Sequence, residues 1–217
     1  MFVTAQAASR FEQLLAGVAV PVHIVTERAA KALSETVTPV GLVAVCEPVS
    51  VALEDILAAR PRLLVVGVAI GEPGNAGTLI RLSHAMGAAA VVLSGQSVDP
   101  YNGKCLRASA GSVFAIPVAV TPSAAQAVAA ASACGLQSLA AAVDGEVTLD
   151  DVEPQLSAPT AWMFGGEAHG LSAEVAALAD RRVRIPMPGG AESLNVAAAA
   201  AICLYLCARA QRKSADD

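Results

Sequence analysis

Aromatic residues are scarce in this chain. Phe, Trp and Tyr together make up 3% of its 217 residues, with a single tryptophan. Its core must therefore be packed from Ala, Val, Leu and Ile. Histidine is rare as well: His23, His84 and His169 share no motif, which leaves a histidine metal site without support. The five cysteines, Cys46, Cys105, Cys134, Cys203 and Cys207, are odd in number and form no C-x-x-C. Neither a disulfide framework nor a zinc site is expected, and the cysteines read as small buried hydrophobes. Charged residues make up only 15%, and 14 Lys and Arg against 19 Asp and Glu leave a net charge of −5. That excludes a global basic footprint for nucleic acid but not a local patch. No basic segment followed by an apolar run opens the chain, so no secretory signal is expected. The apolar stretch from Asn195 to Ala208 is too short to span a bilayer. The expectation is a reduced, cytoplasmic protein with no membrane and no metal.

Two glycine fingerprints are also missing. Neither G-x-G-x-x-G nor G-x-x-x-x-G-K-[ST] occurs, which argues against the ordinary dinucleotide and ATP folds and disfavours a nucleotide-dependent oxidoreductase.

What is present is a core-forming chain, 55% hydrophobic, long enough for one full domain and a smaller piece. Residues 1–46 read as an incomplete alternating layer. It has strands at Phe2–Thr4, Val20–Val25 and Leu42–Cys46 and helices at Ala7–Leu15 and Glu27–Leu33. Residues 47–60 read as a linker with a short helical stretch. From residue 61 the pattern is clearer. Leu63–Ile70, LLVVGVAI, is nearly continuous apolar sequence, as expected of a parallel strand covered on both faces. Further strands are predicted at Ala89–Leu93, Phe114–Val120, Leu136–Val143, Ala161–Phe164 and Val183–Ile185. Pro117 places its strand near an edge or a bulge. Helices are predicted at Ala76–Met86, Asn102–Ala110, Ser123–Cys134 and Glu174–Leu178, the last capped by Ser172. Strands alternating with helices at these lengths indicate an α/β fold with a mostly parallel sheet. The five acids between Asp144 and Glu153 read as a solvated loop, and Gln211–Asp217 as a frayed end.

Three loops carry candidate chemistry. In E-P-G-N-A-G-T-L-I-R, Glu72–Arg81, Asn75 can cap a helix and Arg81 can reach back over the loop or toward a phosphate; a plain cap and a plain surface arginine serve as well. In F-G-G-E-A-H-G-L-S, Phe164–Ser172, a glycine-rich turn follows an apolar strand, where open-sheet ligand sites tend to lie. Gly165 and Glu167 sit in that turn, while His169 reads as a surface group. The third loop, Pro186–Gly190, joins a basic strand to an alanine-rich helix starting near Ser193. Ile185 and Leu194 bracket it with apolar contacts suited to an adenine ring, with Met187 between them. Ser193 and Asn195 supply polar groups or simply cap the helix.

As an ordered set, N-x-G-x-x-x-R at 75–81, G-x-E-x-x-G at 165–170 and I-P-M-x(5)-S-L-N-V at 185–196 resemble the three motifs of the SpoU/TrmH family. These are RNA ribose 2′-O-methyltransferases of the SPOUT class. The stretch Asp99–Ser112 is similar to that family too, nearest to the actinobacterial ribosomal RNA and thiostrepton-resistance type. The resemblance covers roughly residues 38–210 and implies a SPOUT fold with a deep C-terminal trefoil knot in a domain over 61–217. It implies S-adenosyl-L-methionine as cofactor, RNA (ribosomal RNA first) as substrate, and a homodimer. Gly165, Ile185, Met187 and Leu194 match positions around the adenosine, Arg81 the family's essential arginine, and Asn75, Glu167, Ser193 and Asn195 its polar shell. Residues 1–46 resemble half of a ribosomal L30e-type RNA-binding module. They would reflect either a late start or a real loss, leaving an exposed sheet edge. A SPOUT-fold protein that binds cofactor without methylating RNA is the alternative. An arginine normally stays protonated, so Arg81 would orient and stabilise charge at least as readily as act as a base.

Overall fold

The computed structural model describes residues 1–166 and 170–216. Two compact units emerge, Met1–Pro48 and Val49–Asp217.

In the first unit, β1 (Phe2–Thr4) pairs in parallel with β2 (His23–Val25) and antiparallel with β3 (Leu42–Val43). Helices α1 (Ala5–Arg10), α2 (Glu12–Ala16) and α3 (Glu27–Ala32) complete it. Thr4 and Thr26 cap α1 and α3, each hydroxyl accepting an amide three residues on. Strand β2 is shorter than the predicted Val20–Val25 because Pro21 has no N–H to give the ladder. It is also an edge strand: Ile24, at its centre, is 64% exposed.

The second unit holds a seven-stranded sheet in the order β6-β5-β4-β9-β7-β10-β8. Its strands are β4 (Leu63–Val68), β5 (Ala90–Ser94), β6 (Val118–Thr121), β7 (Gln137–Ala141), β8 (Val147–Thr148), β9 (Thr160–Gly165) and β10 (Arg181–Arg184), and every pairing is parallel. The late strands enter between earlier ones, β9 between β4 and β7, and β10 between β7 and β8.

Both faces are covered, as LLVVGV requires. Leu63 and Val65 point into one core cluster, Leu64, Val66 and Val68 into the other. The first cluster is closed by α5 (Pro73–Ala85) and α10 (Val196–Asp216), with Trp162 and Phe164 stacked at its centre, ring centroids 5.9 Å apart. The second is closed by α4 (Leu53–Ala58) and α7 (Ala124–Ala133). Residues 49–60, expected as linker, therefore belong to this unit, since Leu53, Ile56 and Leu57 are buried on its sheet.

Other differences from the sequence reading have local causes. The strand predicted at Phe114–Val120 starts only at Val118: Ser112–Phe114 is a 3-10 turn, and Pro117 offers no amide. As Pro117 implies, β6 lies at a sheet edge. The acidic run is no solvated loop. It holds β8 and α8 (Leu149–Val152), opened by a reciprocal capping box between Thr148 and Asp151. Leu149 and Val152 are buried there. That hydrogen bond from the Thr148 hydroxyl holds the Asp151 carboxyl below the usual carboxylate range. Glu153 pairs with Arg209 of α10. Nor does the end fray at Gln211: its Nε2 donates to the carbonyls of Arg62 and Ala158, at 2.8 and 3.0 Å. Cys105, Cys203 and Cys207 are buried as expected, and burial pushes the Cys105 and Cys207 thiols up to about 11. Cys46 and Cys134 are exposed instead. Thiol titration of the native protein should therefore show Cys46 and Cys134 reacting fast, with Cys105, Cys203 and Cys207 following only on unfolding.

Helix α5 lies tight on α6 (Gly103–Ser109) through Gly77. A Cβ added there would sit 2.3 Å from the Cys105 carbonyl oxygen and 2.9 Å from the Ser109 nitrogen. Both are backbone atoms that cannot swing aside. Gly77→Ala should therefore destabilise by about 1–3 kcal/mol, the range of core overpacking, read as a lower urea midpoint with unchanged slope.

Candidate functional site

At the carboxyl ends of β7, β9 and β10 a cavity opens, the expected place for a ligand on a parallel sheet. Its walls come from Ala141–Val143 at the end of β7, Phe164–Gly166 and Gly170 around β9, Val183 on β10, and Ile185, Met187, Ser193, Leu194, Val196 and Ala199 beyond it. The empty space, open solvent included, is about 720 Å³.

Five of the sequence-predicted residues line this one cavity: Gly165, Ile185, Met187, Ser193 and Leu194. Leu194 is 39% exposed although large and apolar, as a wall awaiting a flat apolar ligand would be. Gly165 is required for a reason other than ligand approach. The loop folds back over it, so that an added Cβ would lie 2.2 Å from the Gly170 carbonyl carbon and 2.3 Å from the Leu171 nitrogen. Gly166 and Gly170 form an antiparallel bridge that closes the turn. Glu167 and His169 lie outside the described residues.

Helix α10 begins at Val196, not near Ser193, and Asn195 is its cap: Oδ1 accepts the amides of Ala197 and Ala198, at 2.9 and 3.4 Å. The other end of that amide donates to Asn75, Nδ2 to Oδ1 at 3.2 Å. The first and third motifs are thereby joined, and the starts of α5 and α10 held together.

Asn75 is not the cap of α5. Pro73 takes the first helical position and Glu72 caps, its carboxylate accepting the Asn75 amide at 2.8 Å. Glu72 also pairs with Lys104 at the start of α6. Lys104 first, and the Asn75 amide second, hold the Glu72 carboxyl below the usual carboxylate range.

Arg81 sits in the second half of α5, exposed, and makes no hydrogen bond or ion pair among the described residues. It does not line the cavity. Six residues beyond Asn75, it stands about 9 Å further along the helix axis and a third of a turn round. One turn on, His84 Nδ1 lies 3.2 Å from Ser112 Oγ, and one turn back Gly77 packs on α6. Arg81 is therefore on the α6 flank of α5.

Sequence reasoning missed the Ala141–Val143 wall, which carries no glycine or polar signal. Its position at the end of a parallel strand is the one clue that could have found it. Glu72 was missed as well, although a proline at the first helical position was there to be read.

Asn195→Ala should cost about 1 kcal/mol of stability through the lost cap. Asn195→Asp keeps the acceptor and should recover most of it, while losing the donor to Asn75; urea unfolding separates the two. Because the Glu72 pKa is depressed on folding, its contribution is present above the unfolded carboxyl value and lost as pH falls through the lower folded one. The stability gap between wild type and Glu72→Gln should therefore narrow as pH drops from 6 to below ~4.

Comparison with known proteins sets this geometry in context. The SpoU rRNA Methylase family model matches residues 62–205. A Bacillus subtilis protein, 23S rRNA (guanosine(2553)-2′-O)-methyltransferase RlmP, is 37% identical over 183 residues, covering 84% of this chain and 71% of that protein. A 23S rRNA (uridine(2479)-2′-O)-methyltransferase of Streptomyces viridochromogenes is 36% identical over 137 residues, 62% of this chain and 48% of the other. The crystal structure of the SpoU methyltransferase AviRb from Streptomyces viridochromogenes in complex with AdoMet superposes with a TM-score of 0.85 at 30% identity, over 98% of this chain and 82% of that one. AdoMet-bound rRNA methyltransferase from Sinorhizobium meliloti gives 0.83 at 30%, over 96% and 79%.

Proposed function

This chain belongs to the SpoU rRNA methylase family, and on that premise we propose how its loops divide the work and which RNA they serve. It is an S-adenosylmethionine-dependent RNA 2′-O-methyltransferase with the α/β fold of the SPOUT class. The carrying observation is the single cavity that gathers Gly165, Ile185, Met187, Ser193 and Leu194 from two separate loops.

The cavity suits S-adenosylmethionine: its apolar walls fit an adenine ring, and its loops present main-chain groups for the rest. When bound, that group supplies a methyl already activated on a sulfonium. Ile185, Met187 and Leu194 hold the adenosine end, and Gly165 keeps the β9 turn closed behind it. The protein's remaining task is alignment. Asn75 and Asn195 lock the starts of α5 and α10 together, with Ser193 at the cavity mouth. Arg81, an exposed cation without a partner among the described residues, meets an RNA phosphate and stabilises the charge that develops on the ribose oxygen. Glu167 completes this polar shell in our reading. No metal is needed for such a transfer.

We take the RNA to be ribosomal because two of the relatives above are 23S rRNA methyltransferases, and the enzyme to be nearest the actinobacterial type because the AviRb fold matches nearly the whole chain. Residues 1–46 serve as an L30e-like RNA-holding segment, supported by their separate mixed sheet. The protein works as a homodimer, supported by Ile202 and Tyr205, 38% and 49% exposed on α10, and its last elements thread as a knot, supported by the late insertion of β9 and β10. A cytoplasmic location agrees with free cysteines, and no described helix is long and apolar enough to cross a membrane.

A methyl-transfer assay on unmodified total RNA, with S-adenosylmethionine affinity measured in parallel, tests the division of labour. Arg81→Ala should lower turnover by roughly 10²-fold or more and leave cofactor affinity unchanged. Leu194→Asp should weaken cofactor binding at least tenfold. Product formation unaltered by Arg81→Ala would reject the role given to that residue.

A further inference from the structure

Alanine and valine form one wall of the cofactor cavity, and such side chains cannot hold a loop in place. The 141–146 turn is nonetheless held, and by the neighbouring strand β10, whose Val183 pairs with Ala141. Side chains alternate along β10: Val183, with Ile185 just beyond, lines the cavity, while Arg182 and Arg184 face the turn. Arg182 donates from Nη1 to Asp144 Oδ2 at 3.0 Å and from Nε to Glu146 Oε2 at 2.9 Å. The Arg182 amide donates to the other Glu146 oxygen, also at 2.9 Å, the main reason its carboxyl lies below the usual carboxylate range. Arg184 Nη1 donates to the Gly145 carbonyl at 2.8 Å. Beneath these ties the backbones touch: a Cβ on Gly145 would lie 2.6 Å from the Arg184 nitrogen and 2.7 Å from the Val183 carbonyl carbon. The Ala142 amide, inside the wall itself, donates to the Val183 carbonyl at 3.0 Å.

We propose that Arg182, through Asp144 and Glu146, is a positioning residue that fixes the Ala141–Val143 wall and so sets affinity for S-adenosylmethionine. This rests on reading the cavity as the cofactor site. Exposed ion pairs add little to global stability, and Asp144 is 81% exposed. A guanidinium fork shared by two carboxylates instead restricts where the turn can sit, and that restriction is what a bound ligand would use.

The test combines calorimetric S-adenosylmethionine binding, steady-state kinetics and amide hydrogen exchange on the full-length protein. Arg182→Ala should raise the Kd about tenfold, as loss of charge-assisted ties implies, with faster exchange confined to residues 142–147. Turnover at saturating cofactor and KM for RNA should stay within about twofold, and melting should shift by only a few degrees. Arg182→Lys, which lacks the fork, should fall between. The double variant Asp144→Asn with Glu146→Gln keeps Arg182 and should weaken binding in the same direction, which decides the matter if Arg182→Ala folds poorly. Folded variants with wild-type cofactor affinity, or with a raised KM for RNA alone, would overturn the proposal. Wild-type protein that bound no S-adenosylmethionine would overturn the reading of the cavity itself.

Discussion

Among the close approaches of backbone to backbone in this structure, two frame its cavity. At Gly165 the chain folds back so that residues 170–171 occupy the place of a side chain, and at Gly145 strand β10 does the same. Both crossings lie around the cavity at the carboxyl ends of the strands. Such proximity is open only to glycine, since the obstructing atoms are main chain and have no rotamer to escape into. At these two points main chain is held against main chain, an arrangement that fixes backbone at little cost in side-chain entropy.

Around that centre the polar ties fall into two groups. One joins the helix starts: Glu72 to the Asn75 amide and to Lys104, and Asn75 to Asn195. The other joins β10 to the acidic turn. The first ties α5 to α6 and α10, the second ties β10 to the turn after β7. Arg81 belongs to neither group.

Much of the fold was legible because the physics was local. LLVVGV reads as a strand with both faces covered, and Pro117 as a residue of a sheet edge or a bulge. The acidic stretch misled for an equally physical reason. Surface acids look alike in a loop and on a capped helix, and what distinguishes this segment is burial of Leu149 and Val152 beneath it. Asn75 has the side chain of a cap, whereas Glu72-Pro73 just before it holds the better start signal. The site divides in the same way. Spacing alone could not bring Gly165 beside Ile185 and Leu194; family resemblance did. Neither could reach Ala141–Val143, whose residue types say nothing of a ligand.

The stack of Trp162 on Phe164 carries an optical corollary. Phe164 forms part of the cavity wall, and the chain has no other tryptophan. The indole is fully buried. All ultraviolet emission excited through indole thus arises one ring away from the ligand space, so the fold carries its own gauge of cavity occupancy without any attached dye.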